Sequence, residues 1–170
     1  MSRVLLTGMS GTGKSTIIRE LRRKGFTAID MDDPGWSTWG SDGHQIWLEE
    51  PLQKALDAAQ SSPVFVSGCA ENQVTFYPQF SHIVLLSAPT DILKKRLACR
   101  ESNAYGKRPE ELAQILDQLA QVEPLLRQSA THEIDTTSPV DQIVATLISL
   151  ALSPVRPNNS FNPTPLRGAG

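Results

Sequence analysis

The chain has 170 residues, a net charge of −2, 39% hydrophobic and 20% charged residues, and two cysteines. That length suits one domain with a single core, and the slightly acidic balance argues against a general nucleic-acid binder, which carries a basic face. Cys69 and Cys99 are too few for a disulfide scaffold, and no apolar run approaches the ~18 residues of a membrane span. Arg3–Thr7 reads as a buried strand from the very start, with no basic and apolar leader before it, so the sequence predicts a cytoplasmic protein with reduced thiols. The stretch Gly8-Met9-Ser10-Gly11-Thr12-Gly13-Lys14-Ser15 follows and fits G-x-x-x-x-G-K-[ST]. A chain of this length meets that pattern by chance roughly 1 time in 200 at average residue usage. The strand before it and the helix-spaced Ile17, Ile18 and Leu21 after it supply the context the motif requires.

Beyond Lys24, Gly25 ends the first helix and Phe26–Ile29 reads as a second strand delivering Asp30-Met31-Asp32-Asp33 before a Pro34-Gly35 turn. Residues 35–43 read as a loop carrying Trp36 and Trp39. A helix follows on Leu48, Leu52, Ala55, Leu56 and Ala59, with Pro51 starting or kinking it. Val64–Val66 is a third strand ending at Ser67-Gly68-Cys69, and residues 70–80 read as irregular. Ile83–Leu86 is a fourth strand, and its helix carries Ile92, Leu93, Arg96 and Leu97. A polar, basic break from Arg100 to Arg108 precedes a long helix that Pro109 opens, with Glu110 and Glu111 complementing its dipole. Thr131–Asp135 is a fifth strand. Ser138 as N-cap, Pro139 at N1 and Asp141 at N3 open the last helix. Strands alternating with helices predict a parallel sheet covered on both faces.

In the glycine-rich loop, Gly8, Ser10, Gly11, Thr12 and Gly13 let backbone N–H groups converge on phosphate oxygens. Helix-starting Lys14 reaches the β- and γ-phosphates, and Ser15 and Thr16 extend the nest into the helix. Ser15 and Asp30 are the expected Mg²⁺ holders, and Asp32 the expected proton acceptor for an attacking hydroxyl. Asp30 and Asp32, one residue apart on an extended segment, are expected to point the same way; the plainer alternative is an Asp-rich turn before Pro-Gly. Asp30, Asp32, Asp33, Trp36, Trp39, Gly68 and Glu71 are the candidate acceptor-binding residues, since ligands lie beyond the carboxyl ends of such strands. Arg100 is the expected charge stabiliser on the transferring group, with Lys107 and Arg108 beside it.

These elements resemble the shikimate-kinase and adenylate-kinase-like group of small P-loop kinases over residues 3–150. The resemblance rests on the P-loop, Asp30-x-Asp32, Ser67-Gly68, Arg96, the basic break and Asp135-Thr136-Thr137-Ser138-Pro139. It implies a P-loop NTPase three-layer α/β sandwich, a five-stranded parallel sheet in the order 2-3-1-4-5, and a lid at about 100–108. It also implies a nucleotide base resting near Arg96, Thr136 and Pro139, with ATP or GTP and Mg²⁺ as the donor pair. The chain departs from the wider pattern in lacking an acid at the end of the third strand, and no arginine set for a carboxylate acceptor is identifiable.

The kinase domain is expected to span residues 1–152, followed by a disordered Pro/Asn-rich tail over 153–170. The tail Asn158–Gly170 resembles the translated edge of an integron recombination site, and the chain is similar to small integron-borne aminoglycoside phosphotransferases of the garosamine-specific type. This resemblance implies a cationic aminoglycoside acceptor and O-phosphorylation as a resistance mechanism, while the acidic body and the lack of a long apolar run point to neither nucleic acid nor membrane as partner. A metabolite or nucleoside kinase and a nucleotide-binding regulator are the alternatives.

Overall fold

A computed structural model of the chain describes residues 2–101 and 104–153. The elements run β1 (Arg3–Thr7), α1 (Lys14–Arg23), β2 (Thr27–Asp30), β3 (Ser37–Trp39), β4 (Gln45–Trp47), α2 (Glu49–Ala58) and β5 (Val64–Ser67). A 3₁₀ helix (Glu71–Gln79) follows, then β6 (His82–Ser87), α3 (Thr90–Cys99), α4 (Pro109–Ser129), β7 (His132–Asp135) and α5 (Val140–Leu152). The expected tail from residue 154 and Ser102 and Asn103 of the expected lid lie outside the described residues.

Five strands form one parallel sheet in the order β2-β5-β1-β6-β7. Taken in their own chain order these strands run second, third, first, fourth, fifth. Their labels depart from 2-3-1-4-5 because β3 and β4 leave the sheet and pair with each other, antiparallel. The fold is the P-loop NTPase α/β sandwich that the resemblance implies. Period-2 alternation splits the apolar strands between two cores. Val4, Leu6, Ala28, Phe65, Val84 and Leu86 meet Ile17, Ile18 and Leu21 of α1 and Ile143, Val144 and Leu147 of α5. On the opposite face Leu5, Ile29, Val66 and Ile83 meet Trp47, Leu52, Leu56, Phe76 and Tyr77, while Leu85 meets Val122 and Leu126 of α4.

Three local expectations are corrected. Residues 35–43 are not simply loop: Ser37–Trp39 pairs with Gln45–Trp47 in a hairpin. The fully buried Trp47 anchors this hairpin in the second core. Its backbone N–H donates to the Asn72 side chain at 2.9 Å, and the Asn72 amide returns a bond to its carbonyl at 3.0 Å. Residues 71–79 are 3₁₀ helix, not irregular chain, and are organised by buried Gln73. The Gln73 amide oxygen accepts the Ala70 N–H, and its nitrogen donates to Thr7 Oγ1 and the Tyr77 hydroxyl, at 3.0, 3.1 and 2.8 Å. Burial pushes the Tyr77 hydroxyl up to about 12.

The last helix begins at Val140, so Ser138 is not its N-cap and Pro139 is not N1. Asp135 Oδ1 holds the preceding turn by accepting from the N–H and hydroxyl of Thr137. Pro139 then occupies the cap position, its carbonyl accepting from the N–H groups of Gln142 and Ile143. Pro51 falls within the first turn of α2, where a missing N–H removes no intrahelical bond.

Candidate active site

The loop between β1 and α1 is built as a phosphate cradle. Gly13 caps α1 with φ 97°, a left-handed conformation that side-chain-bearing residues rarely adopt. Thr12, buried, donates its hydroxyl to the Met9 carbonyl at 2.8 Å and ties the loop to itself. The Lys14 ammonium lies back over the loop, donating to the carbonyls of Gly8 and Met9 at 2.6 and 3.1 Å. The N-terminal end of α1 faces the same space.

β2 ends beside this loop. Buried Asp30 accepts the Ser15 hydroxyl on Oδ2 at 2.6 Å and the backbone N–H of Asp32 on Oδ1 at 3.0 Å. Asp32 is exposed and accepts the Gln45 side-chain amide at 2.9 Å. The two carboxylates therefore diverge, correcting the expectation that they point the same way: the strand ends at Asp30 and the chain turns between them. Asp33 pairs with Arg22 at 2.9 Å.

A cleft of about 900 Å³ opens between these parts. Its donor wall is Gly8, Met9, Ser10 and Lys14. Its acceptor wall is Asp32, Asp33 and Pro34 with the hairpin residues Ser37, Trp39, Asp42, Gly43, His44 and Gln45. Cys69 lines it as well, and Tyr105, Gln114 and Gln118 close the side toward α4. Burial pushes the Cys69 thiol up, despite the nearby Lys14 charge.

The cleft brings together Gly8, Ser10, Lys14, Asp32, Asp33 and Trp39 from the expected set and leaves others elsewhere. Trp36 packs against the second core. Glu71 is exposed at the start of the 3₁₀ helix and does not line the cleft. Gly68 is buried under Trp47: a Cβ there would meet the indole at 2.9 Å and the Met31 Cβ at 3.0 Å, so its role is packing. Arg100 donates to the Tyr105 carbonyl across the basic break, and burial lowers its basicity. Arg96 donates to the Thr136 hydroxyl at 2.8 Å and carbonyl at 2.6 Å, and to the carbonyls of Gly11 and Thr12. It thereby joins the 136–139 loop to the P-loop.

Sequence reading missed two kinds of residue. Gln45, Asp42 and His44 come to the cleft through the hairpin, and Gln114 and Gln118 through the long helix α4. Ser67 lacks a partner for its buried Oγ among the described residues. Alternation places Ser67 on the sheet face of Phe65, and it pairs in register with Asp30.

Residues 4–117 match the family model described as AAA domain. The chain belongs to the AAA domain family. Shikimate kinase 2 of Yersinia enterocolitica is 28% identical to this AAA-domain chain over 165 residues, covering 86% of the chain and 94% of that protein. Among solved structures, shikimate kinase from Acinetobacter baumannii in complex with shikimate matches with a TM-score of 0.60 at 19% identity, over 90% of this chain and 96% of that one. A gluconokinase from Sinorhizobium meliloti matches with a TM-score of 0.55 at 19% identity, over 88% and 91%. At those identities the two structures establish the fold alone. The AAA-domain chain is a small nucleotide-binding P-loop kinase, a phosphotransferase with an alcohol group as acceptor and a small molecule as substrate. The regulator alternative gives way to an enzyme. No helix among the described residues is long and apolar enough to cross a membrane.

Proposed function

We propose that this enzyme transfers the γ-phosphoryl group of ATP, or GTP, to a hydroxyl of a polyhydroxylated small molecule bearing positive rather than negative charge, an amino sugar of the aminoglycoside class. The observation that carries this reading is the acceptor wall. Asp32, Asp33 and Asp42 line it, no arginine does among the described residues, and the only lysine in the cleft belongs to the P-loop. A carboxylate-bearing acceptor would meet like charge there, whereas an ammonium group would meet its complement. Exposed Trp39 offers the ring face on which a sugar stacks or a cation rests. The resemblance of the tail to a translated integron site supports the same acceptor class.

Asp32 takes the proton of the acceptor hydroxyl. The hydroxyl oxygen bonds to the γ-phosphorus as the bond to the β,γ-bridging oxygen breaks, and the nucleoside diphosphate leaves. Lys14 and the loop N–H groups stabilise the charge on the transferring group. The residues beside the loop fit Mg²⁺: the Ser15 and Asp30 oxygens lie together and would hold it, and Ser67 Oγ, buried without a partner among the described residues, would be free to bond a water of its shell. Bound there, Mg²⁺ would neutralise charge on the phosphate oxygens. Arg100, Lys107 and Arg108 remain the basic groups of a lid over about 100–108, Arg100 acting from its hinge.

A second reading has one observation of its own. Similarity to Yersinia shikimate kinase 2 extends over 94% of that protein, which favours a metabolite kinase acting on a hydroxy acid or sugar acid. The experiment that separates the two incubates the protein with ATP, Mg²⁺ and, in turn, gentamicin, kanamycin, shikimate and gluconate, and follows product masses. Gain of one phosphoryl group on an aminoglycoside alone supports the first reading, and gain on shikimate or gluconate alone replaces it with the second. Replacing Asp32 with Asn is expected to lower turnover by about 10²–10⁴-fold, the usual worth of a positioned base, while nucleotide affinity stays near wild type. Wild-type turnover in that variant would remove Asp32 from the mechanism.

A further inference from the structure

We infer that Gln45 is a positioning residue for the phosphoryl transfer, holding the Asp32 carboxylate in the orientation from which it accepts the hydroxyl proton. The inference rests on the reading of Asp32 as base. Asp32 lies beyond the end of β2 with an exposed side chain, and an exposed carboxylate in a turn has many rotamers unless something selects one. Gln45 does so from across the cleft wall. It is buried, and its Nε2 donates to Asp32 Oδ1 at 2.9 Å, with the Met31 carbonyl at 3.5 Å on the same nitrogen. Both neighbours are acceptors only, so the nitrogen end of the amide must face them.

The rest of the hairpin fixes Gln45 in turn. Ser37, on the other strand, donates its hydroxyl to the same Met31 carbonyl at 2.6 Å. Both strands thus grip the peptide that leads into Asp32. Below Gln45, Trp47 is fully buried and Leu48 N–H donates to the Trp36 carbonyl at 2.8 Å, so the amide projects from an anchored platform. Gln45 stands directly across from Trp39 in the hairpin register, and both line the cleft. One strand pair therefore presents an acceptor-facing ring and the amide that orients the base. Asp32 Oδ1 is committed to Gln45, and Oδ2 is the oxygen that receives the hydroxyl proton.

The test uses the full chain with ATP, Mg²⁺ and an equimolar mixture of gentamicin, shikimate and gluconate, reading nucleoside diphosphate release, which includes slow transfer to water. Gln45→Met keeps the side-chain length without the donor, and Gln45→Glu keeps the shape with a carboxylate facing Asp32. A hydrogen bond to a charged group predicts that kcat falls about ten-fold or more in Q45M and at least as far in Q45E. KM for ATP stays within about two-fold because the Gln45 amide bonds to Met31 and Asp32 on the acceptor side. In an Asp32→Asn background, Q45M should cause no further loss, since its effect passes through Asp32. Wild-type kcat in Q45M or Q45E while D32N is inactive would overturn the inference and leave the base intact. A full additional loss in the D32N background would also overturn it, placing the action of Gln45 elsewhere. Wild-type turnover in D32N would instead overturn the underlying reading of Asp32.

Discussion

Asp30 is the last residue of β2, and its burial against Ser15 makes it part of the donor side. Asp32, two residues on, belongs to the acceptor side through Gln45. The chain has turned between them, so residues that look equivalent in sequence face different chemistry. Gly68 shows the same dependence on surroundings. It follows a strand end, as a substrate-contacting glycine would, yet the space a Cβ needs is filled by the Trp47 indole and Met31. Gly68→Ala is expected to destabilise the fold by about 1–3 kcal/mol, the usual range for overpacking. In a domain of this size that lowers Tm by about 2–4 °C per kcal/mol. A thermal melt followed by tryptophan fluorescence reads both the loss and the displaced indole; an unchanged melt would mean that Trp47 yields freely.

At the scale of elements, the β3–β4 hairpin decides what the acceptor meets. It brings Trp39, Asp42, His44 and Gln45 to the cleft, and Trp47 fastens it to the core. Trp39 is 67% exposed although it is large and apolar, and removing its ring leaves the anchoring side chains untouched. Trp39→Ala should raise the acceptor KM several-fold and leave the ATP KM unchanged, measured with whichever acceptor the panel identifies. An equal rise in both constants would indicate a distorted cleft, not a lost platform. Arg96 works between elements in a different way. By bonding Thr136 and the carbonyls of Gly11 and Thr12, it makes the loop after β7 and the P-loop one unit.

At the scale of the molecule, β6 and β7 meet at one sheet edge with His82 and His132 stacked edge to face, ring centroids 5.4 Å apart. Burial, and then the neighbouring His132, lowers the His82 pKa below its ordinary 6.5. His82 Nε2 is buried without a hydrogen-bond partner among the described residues. The unfolded chain therefore binds a proton that the fold resists, and stability is full above 6.5 and declines as pH falls through and below it. Melts between about pH 7 and pH 5 should show a falling Tm, and His82→Asn should flatten that slope. An unchanged slope in the variant would assign it to other groups. Glu133 and Asp135 are held below their ordinary carboxylate values, Glu133 by its bond from Arg127 and Asp135 by the Thr137 N–H, so their contribution is present at neutral pH and lost in acid.

Much of this architecture was legible in the chain because its signals are local. Glycines and a lysine at P-loop spacing dictate the cradle, since backbone curvature and a helix N-terminus depend on a few consecutive residues. Apolar strands alternating with helix-spaced stripes dictate a doubly covered parallel sheet, since each face must be buried. Three-residue strands such as β3 and β4 hold too few positions for alternation to show, and the 3₁₀ helix depends on Gln73 reaching Thr7, 66 positions away in sequence. Partnerships between elements decided much of the acceptor half of the site: the separation of Asp30, bonded to Ser15, from Asp32, the packing of Gly68 under Trp47, and the arrival of Gln45 beside Asp32. Such choices rest on which distant side chains compete for the same space and the same hydrogen bonds, and only the folded chain brings those competitors together.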